Sequence, residues 1–125
     1  GIVKAYITRV GNGPFPTELF DSNGEILQKT GAEYGATTGR PRRCGWFDAF
    51  LTGYSRMING IDLAAITKLD VLSEFDEIKV CVGYELNGRR LNTFPNEISK
   101  LENVTPIYEI LPGWKTDISN ITEYD

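Results

Sequence analysis

Apolar residues fall in short blocks along this chain, each closed by glycine, proline or a polar cluster. Ile2 to Thr8 mixes β-branched and aromatic residues and predicts a strand that needs a partner sheet. In Gly11 to Leu19, two glycines and two prolines forbid a regular helix and predict a shaped loop. Ser22 with Glu25 three residues on has the form of a capping box, so Ile26, Leu27 and Thr30 share one side of a short helix that Gly31 ends. From Trp46 the apolar set Phe47, Phe50, Leu51, Tyr54, Met57, Ile58 and Ile61 follows the helical period of about 3.6 residues, with Asn59-Gly60 as the stop. That predicts a helix whose aromatic stripe faces a core.

Leu63 to Ile66 has the short apolar run of a buried central strand, which places the polar Thr67-Lys68-Leu69-Asp70 at its carboxyl end. Ile78 to Leu86 and Arg89 to Phe94 flank Asn87-Gly88, a pair suited to the two positive φ angles of a type I′ turn, and predict a β-hairpin. Leu111 to Asp125 carries a Pro-Gly turn and polar residues but no helix pattern. Mixed strands, a hairpin and short helices make an α/β fold, in which ligands tend to bind beyond the carboxyl ends of strands.

Composition narrows the chemistry. With 125 residues, 41% hydrophobic and 24% charged, the chain reads as one ordinary globular domain or subdomain over residues 1–125. Its formal net charge of -4 gives no general pull toward nucleic acid or anionic lipid, so any basic site is local. Histidine is absent, which removes imidazole bases, triads built on histidine and histidine-ligated metals from these residues. Cys44 and Cys81 are too few for a disulfide framework or a four-thiolate zinc site and read as buried reduced thiols. No apolar run approaches the ~20 residues of a membrane span and no secretory signal is visible, so the reading is a cytoplasmic protein. The two glycosylation-type triplets at Asn103 and Asn120 are short enough to be chance. Starting at Gly1 and running at once into a strand, the chain reads as a piece of a longer one.

Two constellations carry candidate chemistry. Gly35-Ala36-Thr37-Thr38-Gly39-Arg40-Pro41-Arg42-Arg43 gathers three arginines, two hydroxyls and glycine-flanked amides. Guanidinium forks match carboxylate or phosphate oxygens two at a time, and hydroxyls and N–H groups can approach from the other side. The competing reading is a solvated basic loop, with Arg43 paired to a nearby acid. In Thr67-Lys68-Leu69-Asp70, a carboxylate can accept from both N1–H and the 2-amino group of guanine while a lysine stem covers the base plane. This is similar to the N-K-x-D guanine signature, although four residues recur by chance and, taken alone, the motif reads more simply as Asp70 capping the following Val71 to Phe75 turn. No G-x-x-x-x-G-K-[ST] occurs, so a complete triphosphate site is absent from this chain.

Four segments together resemble the adenylosuccinate synthetase family: KAYITRVGNGPFPTELF from Lys4, GAEYGATTGRPRRCGWFD from Gly31, INGIDLAAITKLDVL from Ile58 and PIYEILPGWKTDIS from Pro106. The resemblance implies the C-terminal portion of a P-loop-like, GTP-dependent ligase. In that reaction GTP phosphorylates the 6-oxygen of IMP, and the amino group of L-aspartate displaces the phosphate to give adenylosuccinate, with Mg2+ bound. It further implies that Ala36, Thr37, Thr38, Gly39, Arg40, Pro41 and Arg42 hold the aspartate carboxylates. Arg40 also reaches IMP, Arg42 also touches GTP, and Val10 contacts IMP through its backbone. Lys68, Leu69 and Asp70 form the guanine site, with Thr67 where the general GTPase pattern has Asn. Pro41 stands where some members carry a basic residue.

The family's catalytic aspartate and histidine, its phosphate-binding glycine loop and its Mg2+ ligands have no match here, so the resemblance also implies an inactive piece of a homodimeric enzyme. A free-standing anion- or RNA-binding module, whose affinity would fall steeply with salt, is the alternative. A purely structural domain with an inert loop is a third reading.

Overall fold

The structure, a computed structural model, describes residues 1–123. The first apolar block does not form one strand. It breaks at Ala5 into β1 (Ile2–Lys4) and β2 (Tyr6–Arg9), which join different sheets. β1 pairs in parallel with β4 (Ala65–Thr67), matching Ile2 to Ala65 and Lys4 to Thr67. β2 instead runs antiparallel to β3 (Arg43–Asp48), with Tyr6 opposite Trp46 and Arg9 opposite Arg43.

β3 continues the larger sheet by pairing in parallel with β5 (Glu77–Leu86) at Phe47 to Val80 and Asp48 to Cys81. On the other flank of β5 lies β7 (Thr105–Pro112), antiparallel along nearly its whole length. The hairpin forms as expected: Asn87 and Gly88 take φ of 52° and 75°. Its second arm, β6, is only Arg89–Arg90, far shorter than the predicted Arg89 to Phe94. β7 was not legible because its prolines, Pro106 and Pro112, weaken a strand signal; as an edge strand it tolerates them.

Helix α1 (Ser22–Thr30) ends at Gly31 as the sequence predicts, but Ser22 is its first residue and not its cap. The Asp21 carboxylate caps it, accepting from the amides of Asn23 and Gly24 at 3.1 and 3.3 Å. Glu25 pairs with Lys29 one turn on. Helix α2 (Ala49–Asn59) starts three residues later than the apolar period suggests, because Trp46 and Phe47 lie on β3. Asp48 ends the strand and caps the helix by accepting from Leu51 N at 2.9 Å. Gly60 closes it at φ 60°.

The aromatic stripe of α2 is not a fully buried core face. Phe50 meets Tyr84 edge-on at 5.0 Å and Tyr54 stacks on Phe94 at 4.8 Å, while Met57 and Ile58 are exposed. Nor is Leu63 to Ile66 a buried central strand. Leu63 is 85% exposed, and among the described residues β4 has β1 as its sole strand partner. A short apolar run reports hydrophobicity, not how many neighbours the strand will find.

The core lies between α1, the Tyr6–Trp46 stretch of the large sheet and a 3₁₀ helix, Leu69–Glu74. It consists of Ala5, Tyr6, Leu27, Cys44, Trp46, Val71, Leu72, Phe75 and Ile78, with Trp46 and Phe75 edge-to-face at 5.1 Å. Gly45 lets the GPFPTE loop lie directly on β3, where Leu19 N donates to Cys44 O at 2.9 Å and Trp46 N to Thr17 O at 3.2 Å. Both cysteines are buried and free; burial pushes the Cys44 thiol up to about 11 and that of Cys81 to about 12. No helix among the described residues is long and apolar enough to cross a membrane. Residues 111–123 contain no helix, and the last two positions of that predicted tail lie outside the described residues.

Candidate functional site

The arginine loop leaves α1 through Gly31 and returns into β3. Tyr34 bridges Pro41, Gly35 N donates to Arg40 O at 2.8 Å, and Gly39 N donates to Gly35 O at 2.8 Å. Thr38 Oγ1 accepts from Arg40 N at 3.3 Å, and Gly39 turns the chain at φ 64°. Closed in this way, the loop presents Ala36, Thr37, Thr38, Gly39, Arg40 and Pro41 to solvent.

Its three arginines have three different fates. Arg43 is consumed internally: Nε and Nη2 grip the Glu18 carboxylate at 2.7 and 2.6 Å, and Nη1 donates to the carbonyls of Gly11 and Gly13 at 2.9 and 3.0 Å. This is the internal pairing that the basic-loop reading foresaw for one residue, and it ties the 11–18 loop to β3. Arg42 gives one nitrogen, Nη1, to Glu33 at 2.7 Å and stays 33% exposed. Arg40 is exposed and, among the described residues, its side chain makes no hydrogen bond or ion pair.

Beneath the loop sits Glu33, 2% exposed. Its Oε1 accepts from Tyr6 O–H at 2.5 Å and Lys4 Nζ at 3.0 Å, and its Oε2 takes Arg42. Burial alone pushes the carboxyl up, but the hydrogen bonds from Tyr6, Arg42 and Lys4 outweigh it and hold the group at about 2. Burial, and then the bond to Glu33, drive the Tyr6 hydroxyl well above its ordinary value, so it remains a donor. Gln28 Nε2 donates to Arg42 O at 3.0 Å, and Arg42 N to Glu33 O at 2.9 Å, fixing the backbone at the same point.

The second constellation lies where the sequence puts it, at the carboxyl end of a strand. β4 ends at Thr67, Lys68 turns the chain at φ 64°, and Leu69 opens the 3₁₀ helix. Lys68 Nζ donates to Gly31 O at 2.9 Å, which sets the motif against the root of the arginine loop. Asp70 is exposed in the first 3₁₀ turn, and its side chain caps nothing and pairs with nothing among the described residues. Val10 is 78% exposed just past β2, next to the Gly11 carbonyl that Arg43 holds. The structure thus anchors Lys68 on Gly31 and Arg42 on Glu33, two residues apart in the chain.

Sequence reasoning missed Glu33, Lys4, Tyr6, Gln28 and Glu18 as parts of this arrangement. No local pattern marks them, because their partners lie up to 29 residues away. Among the described residues no three acidic or cysteine side chains converge as ligands for a metal ion.

A sequence profile for adenylosuccinate synthetase matches residues 1–125. The adenylosuccinate synthetases of Trichlorobacter lovleyi and Mycobacterium avium are each 59% identical over the whole chain, which spans 29% of their length. Among solved structures, the fully ligated adenylosuccinate synthetase from Plasmodium falciparum superposes with a TM-score of 0.93 at 46% identity, covering 98% of this chain and 30% of that one.

Proposed function

Because the chain belongs to the adenylosuccinate synthetase family, we propose that it supplies the aspartate loop and the guanine-recognition site of a GTP-dependent ligase joining L-aspartate to IMP through 6-phosphoryl-IMP. The division of labour among the three arginines carries this reading. Arg43 is spent on Glu18 and on backbone carbonyls, whereas Arg40 is exposed and its side chain has no partner among the described residues, Arg42 gives Glu33 only Nη1 and stays 33% exposed, and the exposed Thr37 and Thr38 lie on the same loop. One guanidinium without an internal partner among the described residues, a second that gives up one nitrogen, and two hydroxyls on one loop suit a small dicarboxylate.

Within that reading, Ala36 to Arg42 hold aspartate. Arg40 also reaches the ribose of IMP, Val10 meets IMP through its backbone, and Arg42 also touches GTP. Lys68 and Leu69 flank the guanine base, and the unpaired Asp70 carboxylate accepts from its N1–H and 2-amino group. Aspartate's amine then attacks C6 of phosphorylated IMP while the loop holds its carboxylates, so the loop contributes orientation more than proton transfer. Acid–base groups, the phosphate cradle and the ligands for Mg2+ come from outside these 125 residues, as does the partner subunit of a homodimer. The chain alone is therefore catalytically incomplete.

A free-standing anion- or RNA-binding module finds no support in the comparisons, and the net charge of -4 gives it no electrostatic drive. The test is steady-state kinetics of a full-length synthetase carrying this chain, with Arg40→Leu as the variant. A raised KM for aspartate supports the reading, and unchanged kinetics for all three substrates would make the loop an inert surface.

A further inference from the structure

A surface guanidinium on a loop tip samples many rotamers, and ordering it on binding a ligand costs free energy. Arg40 is in that position, since no described side chain restrains it. Arg42 is not. Its Nη1 is held at 2.7 Å by a carboxylate that is 2% exposed and cannot follow it outward, because Tyr6 and Lys4 grip the other oxygen. Its backbone is pinned by Gln28 and by the main chain of Glu33.

One formal negative charge, Glu33, faces two positive ones, Lys4 and Arg42, so the cluster keeps a net positive charge. Both cations remain partly exposed, Lys4 at 30% and Arg42 at 33%, and Arg42 gives Glu33 only its Nη1. A buried carboxylate that engages a single guanidinium nitrogen restrains the group without using up its fork.

We propose that Glu33 is a positioning residue that presets the Arg42 guanidinium for the substrate carboxylate, with Tyr6 and Lys4 holding Glu33 in turn. The proposal rests on the aspartate-loop reading above. It differs from a purely structural role for Glu33 in requiring that the effect reach the substrate only through Arg42.

The experiment uses a full-length synthetase carrying this chain and measures KM for aspartate and for IMP, with kcat, in Glu33→Gln, Arg42→Leu and the double variant. Glu33→Gln keeps size and burial but loses the charged anchor. It is expected to raise the aspartate KM about tenfold, since a reactant-positioning group displaced by ~1 Å costs up to about a hundredfold. The IMP KM should stay within about twofold, and in the Arg42→Leu background Glu33→Gln should add less than about twofold, as coupled residues require.

Glu33→Asp, which retains the buried charge but shortens the reach to Arg42, is the second arm if Glu33→Gln does not fold, and it too should raise the aspartate KM. An effect in Arg42→Leu alone, or fully multiplicative effects in the double variant, would overturn the positioning role and leave the aspartate-loop reading intact. No effect in any variant would overturn both.

Discussion

Lys68 donates its ammonium to the carbonyl of Gly31 at 2.9 Å and so fastens the start of the 3₁₀ helix to the end of α1. The carbonyl belongs to the residue that launches the arginine loop, two positions before Glu33. A lysine expected from its motif to lie against a nucleotide base therefore also braces the second half of the site. Lys68→Met keeps the alkyl stem and removes the donor. A hydrogen bond from a charged group is worth about 1.5 to 3 kcal/mol, so a full-length synthetase with this substitution should be destabilised by up to that amount. Denaturant melting checks it, and an unchanged midpoint would mean that the contact is not maintained in solution.

Arg40 and Arg42 should separate stability from substrate use. On the proposed aspartate-loop reading, replacing either with Leu removes a charged partner of the substrate carboxylate and should weaken aspartate use by about 2 to 5 kcal/mol. Lysine should rescue poorly for want of a planar fork. Arg40→Leu breaks no side-chain hydrogen bond or ion pair among the described residues and should leave the melting temperature alone, whereas Arg42→Leu strands Glu33 Oε2 and should lower it. Paired kinetics and calorimetry on the two variants test both halves of the statement.

Base choice should follow Asp70. Adenine offers an acceptor at N1 and nothing at C2, so ATP would leave the carboxylate unsatisfied. Asp70→Asn turns one acceptor into a donor, which should impair GTP and favour xanthosine triphosphate, whose C2 carbonyl can accept from it. A mismatch of this kind is worth roughly 1 to 3 kcal/mol, or about tenfold to a hundredfold in relative specificity. Competition kinetics between the two nucleotides would expose an unaltered preference.

Acid should weaken the Glu33 cluster in a defined window. The carboxyl lies at about 2 in the folded chain against 4.5 as its ordinary value, so its stabilisation is fully present above about pH 4.5 and fades as pH falls toward 2. The shift corresponds to roughly 3 kcal/mol. The stability gap between a full-length synthetase and its Glu33→Gln variant should therefore be widest near neutrality and narrow steadily below pH 4.5. A gap that does not change between pH 6 and pH 3 would mean the carboxylate gains nothing from its three donors.

The 125-residue chain by itself should turn over no IMP, GTP and aspartate above a blank. It has no phosphate loop and no histidine, and transition-state stabilisation depends on groups of that kind. Product detected by chromatography from the purified chain would refute this.

Tight turns and helix stops were readable from local sequence because they depend on one or two residues, whereas the cap of α1 was not, since Asp21 takes the place that the capping-box pattern gave to Ser22. Asn87-Gly88 needs two positive φ angles, and Gly60 ends its helix at a positive φ of its own. The candidate loop and the Thr67-Lys68-Leu69-Asp70 turn were readable for the same reason, since both are contiguous. Partnership was not. Whether Trp46 and Phe47 belong to a helix or a strand was decided by β2 and β5, which supply the ladders on either side of β3. The split of the first strand at Ala5 depended on β4, more than sixty residues away, and the exposure of Leu63 on there being no further strand beside it among the described residues. The same holds in the site. The run of arginines suggested a place for anions, but only the folded chain assigned Arg43 to Glu18, one nitrogen of Arg42 to Glu33 and, among the described residues, no side-chain partner to Arg40. Short-range geometry is written residue by residue, whereas the choice of partner for a charge or a strand is a competition among distant groups that is resolved only on folding.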